Sequence, residues 1–387
     1  MEQSLENTVY WMRRAADQDD VTAEYNMAVM YEKGAGVEQS YEQAFYFYKK
    51  AAAQGDLDAM YYLGVMTYNG QGVPYNGAAM AAWYKMAADD GHPKAQYQMG
   101  LLHNRGDILA HNDRKAVQWW RKAADQANSK AMFSLGVAYS DGMGVMQSYK
   151  KANEWFEKAV ALGNTEAMHN LGYAYARGWG VELDMQEAHN YWYRAALGPK
   201  LDGKGGLMQT QFVLGGYHLE GDEGFEKDDQ RAYYFFSHAA QQGHSISQYN
   251  LGAMFNDGKG VPKDLMVAEA WYERAAAQNN SKAMIQIGDL YASCPDDNFC
   301  NSNKAINWYK RAAALGERVA EEKLERAEVM GFRFRRSVED TKTWVDEKAA
   351  EVADAAADSL GVKLSSEEGI VAARRAAQRI EEAETVS

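Results

Sequence analysis

A Leu-Gly pair, or a close equivalent, returns along almost the whole chain: Met27-Ala28, Leu63-Gly64, Met99-Gly100, Leu135-Gly136, Leu171-Gly172, Leu214-Gly215, Leu251-Gly252 and Ile287-Gly288. Most steps are 36 residues. A paired Ala keeps step with it at Ala15-Ala16, Ala51-Ala52, Ala87-Ala88, Ala123-Ala124, Ala195-Ala196, Ala239-Ala240, Ala275-Ala276 and Ala312-Ala313, and Ala159-Val160 completes the set. A fixed period of this length means a stack of similar units, each burying its apolar face against the next. Within one unit the apolar spacing is helical twice over, as in Ala59, Tyr62-Leu63, Met66 and then Met80, Trp83-Tyr84, Ala87-Ala88. Each unit is therefore expected to be two antiparallel helices.

The remaining repeated residues have structural work. Gly64 and its equivalents lie inside a helix, where Gly costs about 1 kcal/mol against Ala, so close contact with a neighbouring helix is expected there. Gly70, Gly178 and their equivalents stand where the first helix must end in a left-handed residue. Aromatic pairs fill one column: Phe47-Tyr48, Trp83-Tyr84, Trp119-Trp120, Trp155-Phe156, Tyr191-Trp192, Phe235-Phe236, Trp271-Tyr272 and Trp308-Tyr309. Recurrence at the repeat period assigns them to inter-helix packing rather than to a stacking platform for bases or sugars. Trp155→Ala is expected to cost roughly 3–5 kcal/mol if that ring is buried.

The ordered set Ala-x3-Leu-Gly-x2-Tyr, Gly-x-Gly-Val and Lys-Ala-x2-Trp-Tyr-x-Lys-Ala-Ala, seen at 167–181 and 304–313, resembles the Sel1-like repeat proteins, relatives of tetratricopeptide repeats. The resemblance covers residues 8 to about 325. It implies an all-α fold, a right-handed α/α superhelical solenoid of about eight helix-turn-helix repeats with terminal caps and an extra helical tail. The expected organisation is an N-terminal capping half repeat over 1–20, with 1–7 frayed, the solenoid over 21–316, a C-terminal capping helix over 317–336, and an acidic helical tail over 337–387. Ser365 and Glu368 form a capping-box pattern in that tail.

Composition removes several function classes. With a formal net charge of −13 and no basic face accompanying the aromatics, nucleic acid is an unfavourable partner. No run is long and apolar enough to span a bilayer, and Met1 to Asn7 lacks a basic start and an apolar segment, so the chain is expected to be cytoplasmic. Two cysteines are too few for a disulfide framework. Cys294 and Cys300 bracket a turn without a His, which argues against zinc, and reduced thiols are expected in cytosol. The eight histidines are scattered; His103, His169 and His218 replace column tyrosines and read as packing variants. No catalytic or dinucleotide motif is present, and no cofactor or metal is expected. Lys204 stands in the glycine-rich insertion 198–206, which lacks the spacing of a phosphate loop and is expected to project and meet a ligand.

One column carries a binding expectation: Asn26, Tyr62, Gln98, Ser134, Asn170, Val213, Asn250 and Gln286, two residues before each Leu-Gly glycine. The tetratricopeptide likeness puts this row on the concave side of the first helices. Asn and Gln offer donor and acceptor together, so the row can pair with the backbone of an extended peptide; small polar residues on a solvated face are the competing reading. Val65, Leu101, Val137, Tyr173 and Asp289 would make the groove partly apolar. The expected function is a non-enzymatic scaffold or adaptor for a protein partner. The alternatives are a structural subunit assembled through the tail, and a hydrolase of cell-wall-related β-lactams as in some cysteine-rich relatives. The resemblance further implies complex assembly or pathway regulation, in a bacterium.

Overall fold

The computed structural model describes residues 2–198, 206–221, 225–293 and 301–327. Among these residues every regular element is an α-helix. The chain divides into two compact units, the first ending at Gln242 and the second starting at Gly243.

The first unit opens with α1 (Glu2–Ala16), followed by six helix pairs: α2 (Val21–Lys33) with α3 (Tyr41–Ala53), α4 (Leu57–Asn69) with α5 (Gly77–Asp89), α6 (Pro93–Arg105) with α7 (Asp113–Ala124), α8 (Ser129–Asp141) with α9 (Tyr149–Ala161), α10 (Thr165–Arg177) with α11 (Met185–Leu197), and α12 (Met208–Glu220) with α13 (Asp229–Gln241). The second unit holds α14 (Ser245–Asp257) with α15 (Leu265–Ala276), α16 (Ser281–Ser293) with α17 (Ser302–Ala313), and the described part of α18, 318–327. Helix is already established at Glu2, so the frayed start expected over 1–7 does not hold. Lys204, Cys294, Cys300 and the tail 337–387 lie outside the described residues.

Local signals explain the helix ends. Asp20, Asp56, Asn128 and Asn164 each accept from the backbone N–H three residues on, opening the first helices, and Ser40, Asn76, Asn112 and Ser148 do the same for the second. Leu207, just after the insertion, opens α12 without a side-chain cap. At the other end Gly178 takes φ 67° and its N–H reaches the Ala174 carbonyl, closing α10 in the left-handed turn that an L side chain resists.

Packing within a pair depends on the helical glycine. A Cβ built on Gly172 would lie 2.2 Å from Trp192 Nε1, so glycine is what lets α10 and α11 close on each other. The ring that fills this contact is the second of each aromatic pair: Tyr48, Tyr84, Trp120, Phe156, Trp192, Phe236, Tyr272 and Tyr309 are all buried. The first member is only half-buried at Trp83, Trp119, Trp155, Tyr191, Trp271 and Trp308. The large cost expected for Trp155→Ala therefore belongs to Phe156. Trp155 instead carries Lys158 Nζ on its face, 4.0 Å from the ring centroid.

In the second unit Ala320 is buried, and Leu324 and Ala327 pack against the core, so α18 covers the α16–α17 pair. Val319 is half exposed. Lys323 Nζ reaches Asp289 Oδ1 at 2.6 Å and ties the helix to α16.

Candidate functional site

The binding column falls on successive first helices, at Asn26, Tyr62, Gln98, Ser134, Asn170 and Val213 in the first unit and Asn250 and Gln286 in the second. Every one of the eight is partly buried, neither sealed in the core nor fully solvated. One is already engaged: Tyr62 stacks on Tyr48 with ring centroids 5.5 Å apart. Asn170 and Asn250 are half-buried rather than exposed.

Asn170 is the column member with a cavity in front of it. It lines a cleft of about 400 Å³ in the first unit together with Val137, Ser140, Asp141, Tyr149, Ala152, Asn153, Phe156, Tyr173, Ala174 and Trp179. Three elements build it. The last turn of α8 supplies Ser140 and Asp141, the first turn of α9 supplies Tyr149 and Asn153, and α10 supplies Asn170 and Tyr173. The turn after α10 adds Trp179.

The wall is held from behind. Asn153, which is 5% exposed, donates from Nδ2 to the Trp179 carbonyl at 2.7 Å and fixes the turn. Trp179 and Tyr149 stack with centroids 5.6 Å apart and planes 19° apart, while Trp179 keeps 46% of its surface open. Buried Phe156 forms the floor. Burial raises the Tyr173 phenol pKa, so the hydroxyl stays protonated and able to donate. The Asn170 amide forms no side-chain hydrogen bond within the described residues.

A larger hollow of about 570 Å³ lies between Arg13, Tyr31, Gln39 and Ser40. Three of its polar side chains are committed: Arg13 donates to the Tyr31 hydroxyl and Gln39 Nε2 to the Glu32 carbonyl. The smaller aromatic cleft is the better docking geometry because it combines an exposed Trp179 ring with the Asn170 amide, which makes no side-chain hydrogen bond among the described residues, while Asn153 and Tyr149 are engaged within the wall.

Sequence reasoning named Asn170, Val137 and Tyr173 and missed Tyr149, Asn153 and Trp179. A signal for Trp179 existed, since that turn position is Ala35, Gln71, Met143 and Lys259 in other repeats. Of the histidines, His218 is buried and stacks on Phe235, and His169 Nδ1 lies 2.8 Å from the Thr210 hydroxyl. Burial pushes the His169 pKa down to about 4 and also lowers those of His189, His218 and His244. Among the described residues no three His, Cys, Asp or Glu side chains are grouped to hold a metal ion, and no helix is long and apolar enough to cross a membrane.

The repeat geometry meets its match in a family model. The Sel1 repeat model matches residues 1–20, 21–56, 57–92, 93–128, 129–164, 165–198, 209–244, 245–280 and 300–317. The chain belongs to the Sel1 repeat family. Among solved Sel1 repeat structures, a protective antigen of uropathogenic Escherichia coli strains is 29% identical with a TM-score of 0.67, covering 95% of this chain and 78% of that one. A Sel1 repeat protein from Oxalobacter formigenes is 31% identical with a TM-score of 0.60, covering 73% of this chain and 80% of that one.

Curated relatives are fungal. Chitin synthase regulatory factor 3 of Schizosaccharomyces pombe is 29% identical over 106 residues, 27% of this chain and 11% of that protein. Chitin synthase regulator SKT5 of Saccharomyces cerevisiae is 30% identical over 98 residues, 25% and 13%. The matched Sel1 segment thus spans about a tenth of these relatives. The bacterial and cytoplasmic expectations find no support in these fungal matches.

Proposed function

We propose that this chain is a non-enzymatic scaffold that docks an extended segment of a protein partner in the Asn170–Trp179 cleft. The observation that carries the reading is a free amide, Asn170, facing an aromatic wall with an open Trp179 ring. An amide offering donor and acceptor pairs with peptide backbone whatever the side chains, and an aromatic wall supplies anchor area at small entropic cost. Regulation by binding is the matching role, since the fungal relatives are named as regulators of an enzyme. The solenoid over 21–316 would then be the interaction domain, with 1–20 and 317–336 as its caps, Lys204 at a projecting loop and 337–387 as an appended tail.

The test is site-specific. A photo-reactive amino acid placed at Ser140 in the full chain, expressed in its native cells, is expected to cross-link one protein, and Asn170→Arg or Trp179→Ala is expected to abolish the product. Cross-links that persist unchanged in both variants would remove the cleft from the function.

A further inference from the structure

The occupied and unoccupied tryptophans of this chain differ in one respect. Lys122 covers Trp119 at 4.3 Å from the ring centroid, Lys158 covers Trp155 at 4.0 Å, Arg274 covers Trp271 at 4.4 Å and Arg311 covers Trp308 at 4.1 Å. In each case the cation lies three residues on along the same helix, where the side chains meet. Each of these rings is half-buried. Trp179 is more exposed than any of them and has no Lys or Arg over its face among the described residues.

Charge in the cleft has the sign that such a face lacks a partner for. Asp141 is the one charged residue lining it, and it is exposed. It forms no ion pair or side-chain hydrogen bond within the described residues. Asp141 and Ser140 end α8, and Tyr173 and Ala174 lie near the end of α10. Two helix C-termini, the negative ends of their dipoles, and one N-terminal turn, that of α9, therefore border the same space, each with its own cap. A planar cation that can lie on an indole and fork onto a carboxylate fits this combination, which describes a guanidinium better than an ammonium.

We infer that the cleft recognises an arginine side chain carried by an extended peptide segment. The guanidinium lies on the open face of Trp179 and pairs with Asp141, while Asn170 and the Tyr173 hydroxyl hold the flanking backbone. This rests on the docking reading above and adds the chemical class of the partner.

The test uses the full chain and two synthetic nonapeptides of Gly and Ser, one with a central arginine and one with citrulline, which keeps the shape and removes the charge. The readout is the indole N–H resonance of Trp179, identified by its loss in Trp179→Phe. The arginine peptide is expected to shift that resonance at about fivefold lower concentration than the citrulline peptide, the size of one exposed cation-π contact with a charge-assisted bond. Asp141→Asn, at an exposed site, is expected to narrow the gap between the two peptides to the smaller preference that the cation-π contact alone supplies. Equal responses to both peptides in the unsubstituted chain would overturn the arginine assignment and leave the docking reading standing. An arginine preference undiminished in Asp141→Asn would overturn the pairing with Asp141. No response to either peptide would also overturn the assignment, while the cross-link at Ser140, which uses no peptide, separately decides the docking reading.

Discussion

Gln126 donates from Nε2 to Gln96 Oε1 at 2.9 Å and also to the Gly91 carbonyl at 2.8 Å. The same clamp recurs where Gln242 reaches Gln211 at 2.8 Å and where Gln278 reaches Gln248 at 2.8 Å, and Gln54 makes the corresponding bond to buried Glu24 at 2.8 Å. In repeats where the inner position is Met60 or Met132, the outer one is Asp90 or Leu162. At this inner position a buried amide is thus present where a second amide arrives to satisfy it, as the cost of an orphaned polar group requires. Gln96→Met alone is expected to destabilise by about 1–2 kcal/mol, and Gln126→Met added to it by less than it costs by itself. A double-mutant cycle by denaturant titration checks this; strict additivity would show that the bond contributes nothing.

Gly172→Ala places a methyl group against the Trp192 indole, which is fully buried and donates to the His169 carbonyl at 3.1 Å. The ring has no room to retreat, so a loss of about 1–3 kcal/mol is expected despite the better helix propensity of Ala. Gly163→Ala is the control: its Cβ would meet nothing within 4 Å, and its cost comes from φ 79° alone.

Phe156→Ala is expected to cost roughly 3–5 kcal/mol and Trp155→Ala clearly less, because the first ring is buried and the second half-exposed under Lys158. Thermal melts of the two variants side by side decide it, and equal losses would contradict the assignment of the two rings.

Acid is expected to weaken the fold through its histidines. The folded pKa of His169 is about 4, below the unfolded value near 6.5, so the unfolded chain binds more protons between those limits. Stability is therefore complete above about pH 6.5 and falls as pH drops toward 4. His189, His218 and His244 shift in the same direction. His169→Gln is expected to remove part of the fall in melting temperature between pH 7 and pH 5, and an unchanged slope would count against His169.

Asn170→Arg is expected to lower the melting temperature slightly, since the site is half-buried, and to fill the cleft with a cation of the protein's own. Binding should then suffer far more than stability. A drop in stability as large as that of Phe156→Ala would mean that Asn170 supports the packing instead of a ligand.

The period of the chain by itself determined its architecture: a 36-residue recurrence of Leu-Gly, aromatic pair and Ala-Ala leaves two helices per unit and stacked units as the way to bury those faces. Cap residues such as Asp56 and Asn164 and turn glycines such as Gly178 also act within a few residues of themselves, so they were legible in sequence. Which ring of an aromatic pair is buried was not, because Trp155 and Phe156 are adjacent and only the angle between packed helices decides which one points inward. Nor was the cleft. Tyr149, Asn153 and Trp179 come from two repeats and meet Asp141 and Asn170 only after α8, α9 and α10 pack, and a contact across such distances in the chain leaves no mark in local periodicity.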